Sequence, residues 1–147
     1  MTWLFENKQV KEHPDKAIGF VYIIKNKING KQYIGKKLLE FSKTSYKTVT
    51  QKNGVKKKKK IKTKIESDWQ SYWGSSELLQ EDVSKLGEDK FTRKIIKYCY
   101  SKGELSYFEA KYQFEYDVLL NPDKWYNGWI SVRVRASQLK NRSEGVV

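Results

Sequence analysis

Apolar and polar positions divide the 147-residue chain into short, separate segments. Residues 1–18 open on an apolar cluster, Trp3, Leu4 and Phe5, and then turn polar. They predict an irregular extension whose aromatics dock on a domain beginning at residue 19. Two runs of strand-forming residues follow, 19–25 and 31–36, with Asn29-Gly30 between them. Both residues of such a pair tolerate positive φ, so the pattern predicts a β-hairpin. Residues 40–64 are polar, lysine-rich and without apolar period, which predicts an inserted loop. Trp69, Tyr72 and Trp73 recur at i, i+3, i+4, the spacing of one side of a short helix. Gly74-Ser75-Ser76 ends it. Ser76 can cap a second helix reaching about Leu86, with Leu79, Val83 and Leu86 on one face and Gly87 as its stop.

Residues 91–100, FTRKIIKYCY, read as a third strand. Ser101 to Glu104 matches a capping box. It opens the strongest helix of the chain, ELSYFEAKYQFEYDVLL, which stops before Asn121-Pro122. WYNGWISVRVRA then predicts a turn and a short final strand or helix. The fold class is α+β: a small three-stranded antiparallel sheet flanked by helices, with a lysine-rich loop insertion. The expected organisation is an extension at 1–18, a domain at 19–130 with a basic insert at about 40–64, and a tail at 131–147.

Charge sharpens this picture. The formal net charge is +13. Eight lysines, Lys52, Lys56, Lys57, Lys58, Lys59, Lys60, Lys62 and Lys64, stand with no acid among them, and without them the balance would be +5. The excess favours a polyanion, nucleic acid before membrane. Lys56 to Lys60, Lys62 and Lys64 are expected to contact nucleic acid, conferring affinity and salt dependence rather than sequence reading. One cysteine, Cys99, excludes an internal disulfide framework and a multi-cysteine zinc site, and one histidine, His13, weakens any scheme needing several imidazoles. No apolar run reaches the roughly 18 residues of a membrane span, and the N-terminus lacks a signal-peptide core, so the cytoplasm is the expected location.

A two-residue turn at Asn29-Gly30 would pair Asn26 with Tyr33, Ile24 with Gly35 and Tyr22 with Lys37. Tyr22, Tyr33 and Lys37 would then share one face of the sheet and Lys36 the other, because side chains alternate. A loop of three or five residues would shift that register by one. A tyrosine beside a cation can do acid–base work, since the charge lowers its pKa from about 10. A bland hairpin explains the same residues. Glu109 lies within the apolar stripe Leu105, Phe108, Tyr112, Tyr116 and Leu119, whereas Glu104, Glu115 and Asp117 reach water more readily. A carboxylate on such a face needs a cation, hydrogen-bond donors or a metal. Mg²⁺ uses few protein carboxylates, so one Glu is enough for one ion. Gln113, one turn on, shares that side. The ordinary alternative is a Glu at the rim of the stripe.

Together these features resemble the GIY-YIG nuclease superfamily. Phe20-Val21-Tyr22, preceded by Gly19, stands where the family has Gly-Ile-Tyr, and Tyr33-Ile34-Gly35 is intact. Glu109 in SYFEAKYQF matches the family's metal-binding Glu, and Asn127 in WYNGW matches a downstream Asn. Residues 72–96 resemble a subgroup found in bacteriophages and homing-type endonucleases. The resemblance covers roughly residues 19–130. It implies DNA phosphodiester hydrolysis, as nicking or double-strand cutting, with one Mg²⁺ or Mn²⁺ per site held by Glu109. Tyr22 would be the general base or position the water, and Tyr33 would support phosphate or water. Many members carry an Arg after the second strand, but this chain has no Arg before Arg93. Lys37 is the first substitute and Lys36 the second. Lys62 or Lys64 could fold back from the insert, and Arg93 ranks lower. A lysine gives charge without the guanidinium fork.

The implied partner is DNA, with RNA a weaker alternative. A phage-encoded enzyme would work in the host-cell cytoplasm. A homodimer or a protein partner would supply specificity or a second cut. The competing reading is a non-catalytic DNA- or RNA-binding protein on a degenerate GIY-YIG fold. Tyr22, Tyr33 and Glu109 together favour the enzyme, because a pure binder has no need of a carboxylate facing phosphate.

Overall fold

The computed structural model describes residues 2–139. Its strands are β1 (Trp3–Phe5), β2 (Lys8–Gln9), β3 (Gly19–Asn26), β4 (Gln32–Leu38), β5 (Glu40–Thr50), β6 (Lys56–Glu66) and β7 (Phe91–Cys99). The helices are α1 (Glu77–Leu86) and α2 (Lys102–Glu115). One-turn 3-10 helices lie at Trp69–Ser71, Glu88–Lys90 and Ala136–Leu139. The last is the only regular element of the expected tail among the described residues, and residues 140–147 lie outside them. No helix among the described residues is long and apolar enough to cross a membrane.

The main sheet has five strands in the order β2-β1-β7-β3-β4, not the three expected. The two extra strands come from the N-terminal segment, which is not an irregular extension. β1 runs parallel to β7, with Trp3 opposite Arg93. Trp3 is buried and donates its indole N–H to Trp69 O at 2.7 Å. An indole supplies much apolar area and one donor, so satisfying both fixes the segment to the sheet.

The hairpin forms in a different register. Observed pairs are Tyr22 with Gly35, Ile24 with Tyr33 and Phe20 with Lys37. The loop holds four residues, Lys27 to Gly30, closed by Asn26 N–H to Lys31 O and Gly30 N–H to Asn26 O. Asn26 Oδ1 accepts from Ile28 N and Asn29 Oδ1 from Lys31 N, so both Asn side chains fold onto the backbone. Only Gly30 takes positive φ. The register moves by two, so side-chain parity survives: Tyr22, Tyr33 and Lys37 share a face and Lys36 faces the other way.

Both faces of the sheet are covered. On one side Phe20, Tyr22, Ile24, Phe91 and Ile95 pack with Trp3, Trp69, Leu79 and Val83. Tyr72 and Trp73 pack against the same cluster. The segment carrying them is one 3-10 turn rather than an α-helix. On the other side Val21, Ile34 and Cys99 pack with Leu105, Phe108, Val118 and Trp125. α1 is capped by Ser76 Oγ, which accepts from Leu79 N, and ends at Gly87. Ser101 Oγ accepts from Glu104 N, and Glu104 Oε1 accepts from Tyr100 N. Glu104 is therefore fully buried at the start of α2, contrary to the expectation that it reaches water. α2 also ends earlier than expected. Val118 N–H bonds to Gln113 O and Asp117 takes φ 51°, a Schellman-like stop that drives Val118 into the core. Tyr116 and Leu119 are left exposed.

Residues 40–66 are not a loop. β5 and β6 form a separate two-stranded antiparallel ribbon, paired from Glu40–Glu66 to Thr50–Lys56. Thr, Val, Tyr and Ile suit extended backbone, and a second Asn-Gly, Asn53-Gly54, makes the turn, with Gly54 at φ 82°. The ribbon lacks apolar period because almost every residue on both faces meets water.

Gly19 sits where β3 starts. A Cβ there would meet Lys37 O at 2.6 Å and Leu105 Cδ2 at 2.9 Å. The first contact is backbone and cannot swing away. Gly19→Ala is expected to lower unfolding free energy by roughly 1–3 kcal/mol, read by urea titration of the metal-free protein. An unchanged midpoint would mean that the strands separate easily at this end.

Candidate active site

β4 is an edge strand, and its outer edge is sealed by side chains rather than by another strand. Asn127 Oδ1 accepts from Ile34 N at 3.0 Å, and Asn127 Nδ2 donates to Ile34 O at 2.8 Å. Gln113 Nε2 donates to the same Ile34 O at 3.1 Å. One turn of chain before Asn127, Gln32 N bonds to Lys124 O and Tyr126 N to Gln32 O. Asn127 is thus wholly committed to the β4 backbone. The same bonds fix the amide of Gln113: its nitrogen must face Ile34 O, leaving Oε1, a pure acceptor, for the cleft it lines.

That cleft, of about 290 Å³, lies over the edge of β4. Because β4 ends the sheet, residues from both of its faces meet there. Tyr33 enters from one face, with Oη 2.8 Å from Ser75 Oγ. Lys36 enters from the other, its Nζ donating to Ser106 Oγ at 2.8 Å. Glu109 and Gln113 come from α2, and Asn127, Gly128, Trp129 and Ser131 from the segment after it. Burial raises the Glu109 pKa; the Lys36 charge and the Lys36 backbone N–H partly offset this. Tyr33 also holds its proton more tightly than a free phenol, chiefly through burial, with the Glu109 charge adding to it. The bond to Ser75 works in the opposite direction.

Tyr22 lies directly behind the cleft. Its side chain is fully buried and its hydroxyl has no hydrogen-bond partner among the described residues. Tyr72 comes near without completing a bond by geometry. A Cβ on Gly35 would meet Tyr22 Oη at 2.4 Å and Tyr33 Cε2 at 2.8 Å. The absent side chain of Gly35 is what lets the two phenols approach each other across the strand. Burial, then Tyr72 and Tyr33, then Glu109 push the Tyr22 pKa well above its ordinary value.

Lys37 is elsewhere. It shares a face with Tyr22 and Tyr33, as parity requires, but its Nζ lies 2.5 Å from Asp68 Oδ1 and 4.0 Å from the Tyr72 ring centre. That ion pair lowers the Asp68 pKa. The cation beside Glu109 is Lys36. Arg93 is buried between Trp3 and Trp73 and donates to Gln70 O and Tyr72 O. Burial lowers its pKa to about 10, and its place is in the core rather than the cleft. Lys62 and Lys64 stand on the ribbon and do not line the cleft, nor do Lys56 to Lys60.

Among the described residues no three His, Cys, Asp or Glu side chains gather. The donor set suits an ion that takes most of its ligands from water and phosphate. Glu109 is a desolvated carboxylate at the cleft wall, and Gln113 Oε1 is a neutral oxygen one turn away, so the residues present fit Mg²⁺ or Mn²⁺. Sequence pattern left Ser75, Ser106, Trp129 and Ser131 unmarked. Ser75 alone had a signal, its place in a Gly-Ser-Ser stretch.

No curated protein and no solved structure matches the chain. A protein-family model, described as "Putative endonuclease segE, GIY-YIG domain", matches residues 3–130. The match takes in β1 and β2 together with the rest of the sheet. With its tyrosine pair meeting over Gly35, and Glu109 and Asn127 converging on one strand edge, the chain belongs to the segE-type GIY-YIG nuclease family.

Proposed function

We propose that the protein is a divalent-metal-dependent DNA endonuclease, phage-encoded, that hydrolyses phosphodiester bonds in the cleft at the β4 edge. The observation that carries this reading is the setting of Glu109: a half-buried carboxylate, destabilised by desolvation, beside one lysine in an open polar cleft. A nucleic-acid-binding surface has no use for such a group, since it repels phosphate. A bound Mg²⁺ or Mn²⁺ supplies charge stabilisation for the transition state at phosphorus. Glu109 would hold the ion, with Gln113 Oε1 as a further acceptor toward it or its water.

Lys36 is the cation that offsets charge on the non-bridging oxygens, in the role sought for the missing Arg. It gives a point charge aimed by Ser106, without a guanidinium's two-pronged grip. Tyr33 Oη is the phenol in contact with the cleft; it would orient the attacking water, and in the phenolate form, which a bound cation favours, it would accept the water's proton. Tyr22, with no water-facing surface, acts through Tyr33 and the packing over Gly35. Asn127 is a positioning residue that holds Ile34 and thereby the spacing of Tyr33 from Lys36. The nuclease domain is proposed to span 3–130, with the ribbon as its basic insert. DNA is the substrate. A second copy or a second visit makes the second cut, a protein partner or the ribbon adds specificity, and the host-cell cytoplasm is the site of action.

Purified protein incubated with supercoiled plasmid and Mg²⁺ or Mn²⁺ tests the reading. Open-circular or linear product is expected, with a loss of about 100-fold or more in Glu109→Gln, since removing even an outer-shell partner of a metal ligand costs about 10–100-fold. Salt-sensitive binding without cleavage under either metal would instead favour the binding module.

The same substitution has a stability signature. The folded-state pKa of Glu109 is raised, so ionising it opposes folding. Below the ordinary glutamate pKa of 4.5, wild type and Glu109→Gln should unfold alike. Above the raised value the variant should be the more stable in chelator, read as a higher Tm, and Mg²⁺ should narrow the gap. A variant less stable at neutral pH would mean that Glu109 is structurally satisfied.

Lys36→Ala should lower the cleavage rate by about 10²–10³-fold with little change in Tm. Lys37→Ala should lower Tm through the lost Asp68 and Tyr72 contacts and leave the rate of the folded fraction near wild type. The reverse pattern would return the cationic role to Lys37.

A further inference from the structure

The β5–β6 ribbon has two chemically different faces. Its register pairs Lys56 with Thr50, Lys58 with Thr48, Lys60 with Tyr46, Lys62 with Thr44 and Lys64 with Ser42. Side chains alternate along each strand, and paired residues lie on the same side. One face is therefore an unbroken row of five lysines beside an unbroken row of five hydroxyls. The other face carries Lys57 opposite Val49, Lys59 opposite Lys47, Ile61 opposite Ser45, Thr63 opposite Lys43 and Ile65 opposite Phe41, so its lysines are Lys43, Lys47, Lys57 and Lys59. Its charges are broken up by apolar side chains.

We propose that the lysine–hydroxyl face of this ribbon is a docking surface for the phosphate backbone of duplex DNA. The proposal rests on nucleic acid being the substrate, and adds which face meets it. Alternate residues of a strand are about 6.7 Å apart, so Lys56 to Lys64 cover about 27 Å. Duplex DNA presents a phosphate about every 1.7 Å of axis over its two strands, so flexible lysine side chains along a row of this length each have phosphates within reach. Hydroxyls beside the ammonium groups donate to the same oxygens, the mixture that phosphate contacts use. The two strands, about 4.8 Å apart, fit within a major groove about 12 Å wide. Single-stranded nucleic acid calls for a series of stacking aromatics, and this face offers only Tyr46.

The ribbon's isolation agrees with an external ligand. No apolar core covers either face, and a lone two-stranded hairpin is marginal in water. At the ribbon's base Glu40 pairs with Glu66, and Glu66 accepts from Trp69 Nε1 at 3.0 Å. The basic row thus begins beyond an anchored acidic end.

Two triple variants of the full chain decide it. Lys58→Gln, Lys60→Gln, Lys62→Gln neutralises three of the five lysines of the proposed face, and Lys47→Gln, Lys57→Gln, Lys59→Gln three of the four on the other. Each removes three charges. Binding to a short duplex is followed by fluorescence anisotropy in chelator, across a salt series, with circular dichroism as the folding control. The first variant should flatten the slope of log K against log salt by about 2.7, at ~0.9 per phosphate, and the second by less than about 1. Equal flattening, or a larger effect of the second, overturns the proposal while leaving DNA as the substrate. Tighter binding to single-stranded than duplex DNA overturns the choice of partner. Wild type without salt-dependent binding to either overturns the proposal and the substrate reading together.

Discussion

The site depends on how the edge of β4 is closed. An edge strand leaves backbone N–H and C=O groups unpaired, and a neighbouring strand would satisfy them but cover the place where the cleft must be. Asn127 answers this with one side-chain amide that donates and accepts at Ile34, while Gln113 supplies a second donor to the same carbonyl. Each such buried bond contributes about 0.5–1.5 kcal/mol, and leaving Ile34 unpaired would cost more. The chemical consequence is larger than the energetic one. With Ile34 held, Tyr33 on one side and Lys36 beyond Gly35 are fixed against α2, which carries Glu109. Three sequence-distant segments therefore share one reference point.

Gly35 adds the second constraint. The main chain between Tyr33 and Lys36 must pass under the Tyr22 ring, and any side chain at Gly35 would occupy the space of its hydroxyl. The phenols are close because the strand is thin there. That closeness also explains why both resist ionisation: each lies in a crowded, partly dry region, with Glu109 nearby adding negative charge. A cation in the cleft acts on all three groups in the same sense, favouring the ionised carboxylate and phenols.

Much of this was legible in sequence, for identifiable reasons. The helix caps at Ser76 and Ser101, the third strand and the placement of Glu109 follow from local patterns that tertiary structure left intact. Parity along β4 separated Lys36 from Lys37 although the register was off by two, because an even shift preserves faces. What failed was non-local. The choice between the two lysines turned on Asp68 and Ser106, whose approach no periodicity encodes. Trp3 looked like a docked aromatic, but its segment enters the sheet through pairing with β7, some ninety residues away. The ribbon was misread because its alternation is between lysine and hydroxyl rather than polar and apolar. Asn53-Gly54 was a visible turn signal of the same kind as Asn29-Gly30. Asn127 carried no mark beyond family resemblance, since its work is done on a backbone that the sequence does not show.

On the proposed reading, the cleft and the ribbon would divide the labour of a nuclease along a physical line. Catalysis asks for few charges held tightly, where low dielectric makes each one count, and the cleft has one carboxylate and one lysine. Affinity for a polyanion asks for many charges in water, where each counterion released contributes a similar small amount regardless of its neighbours. Packing eight lysines near Glu109 would hold its carboxylate in permanent ion pairs and compete with a metal. Moving them onto a solvated ribbon avoids that competition. β4 runs almost directly into β5, so the separation is made with only Leu39 between the strands. That direct junction makes the ribbon's direction a property of the edge strand itself, and on the proposed reading it would tie where DNA is held to where it can be cut.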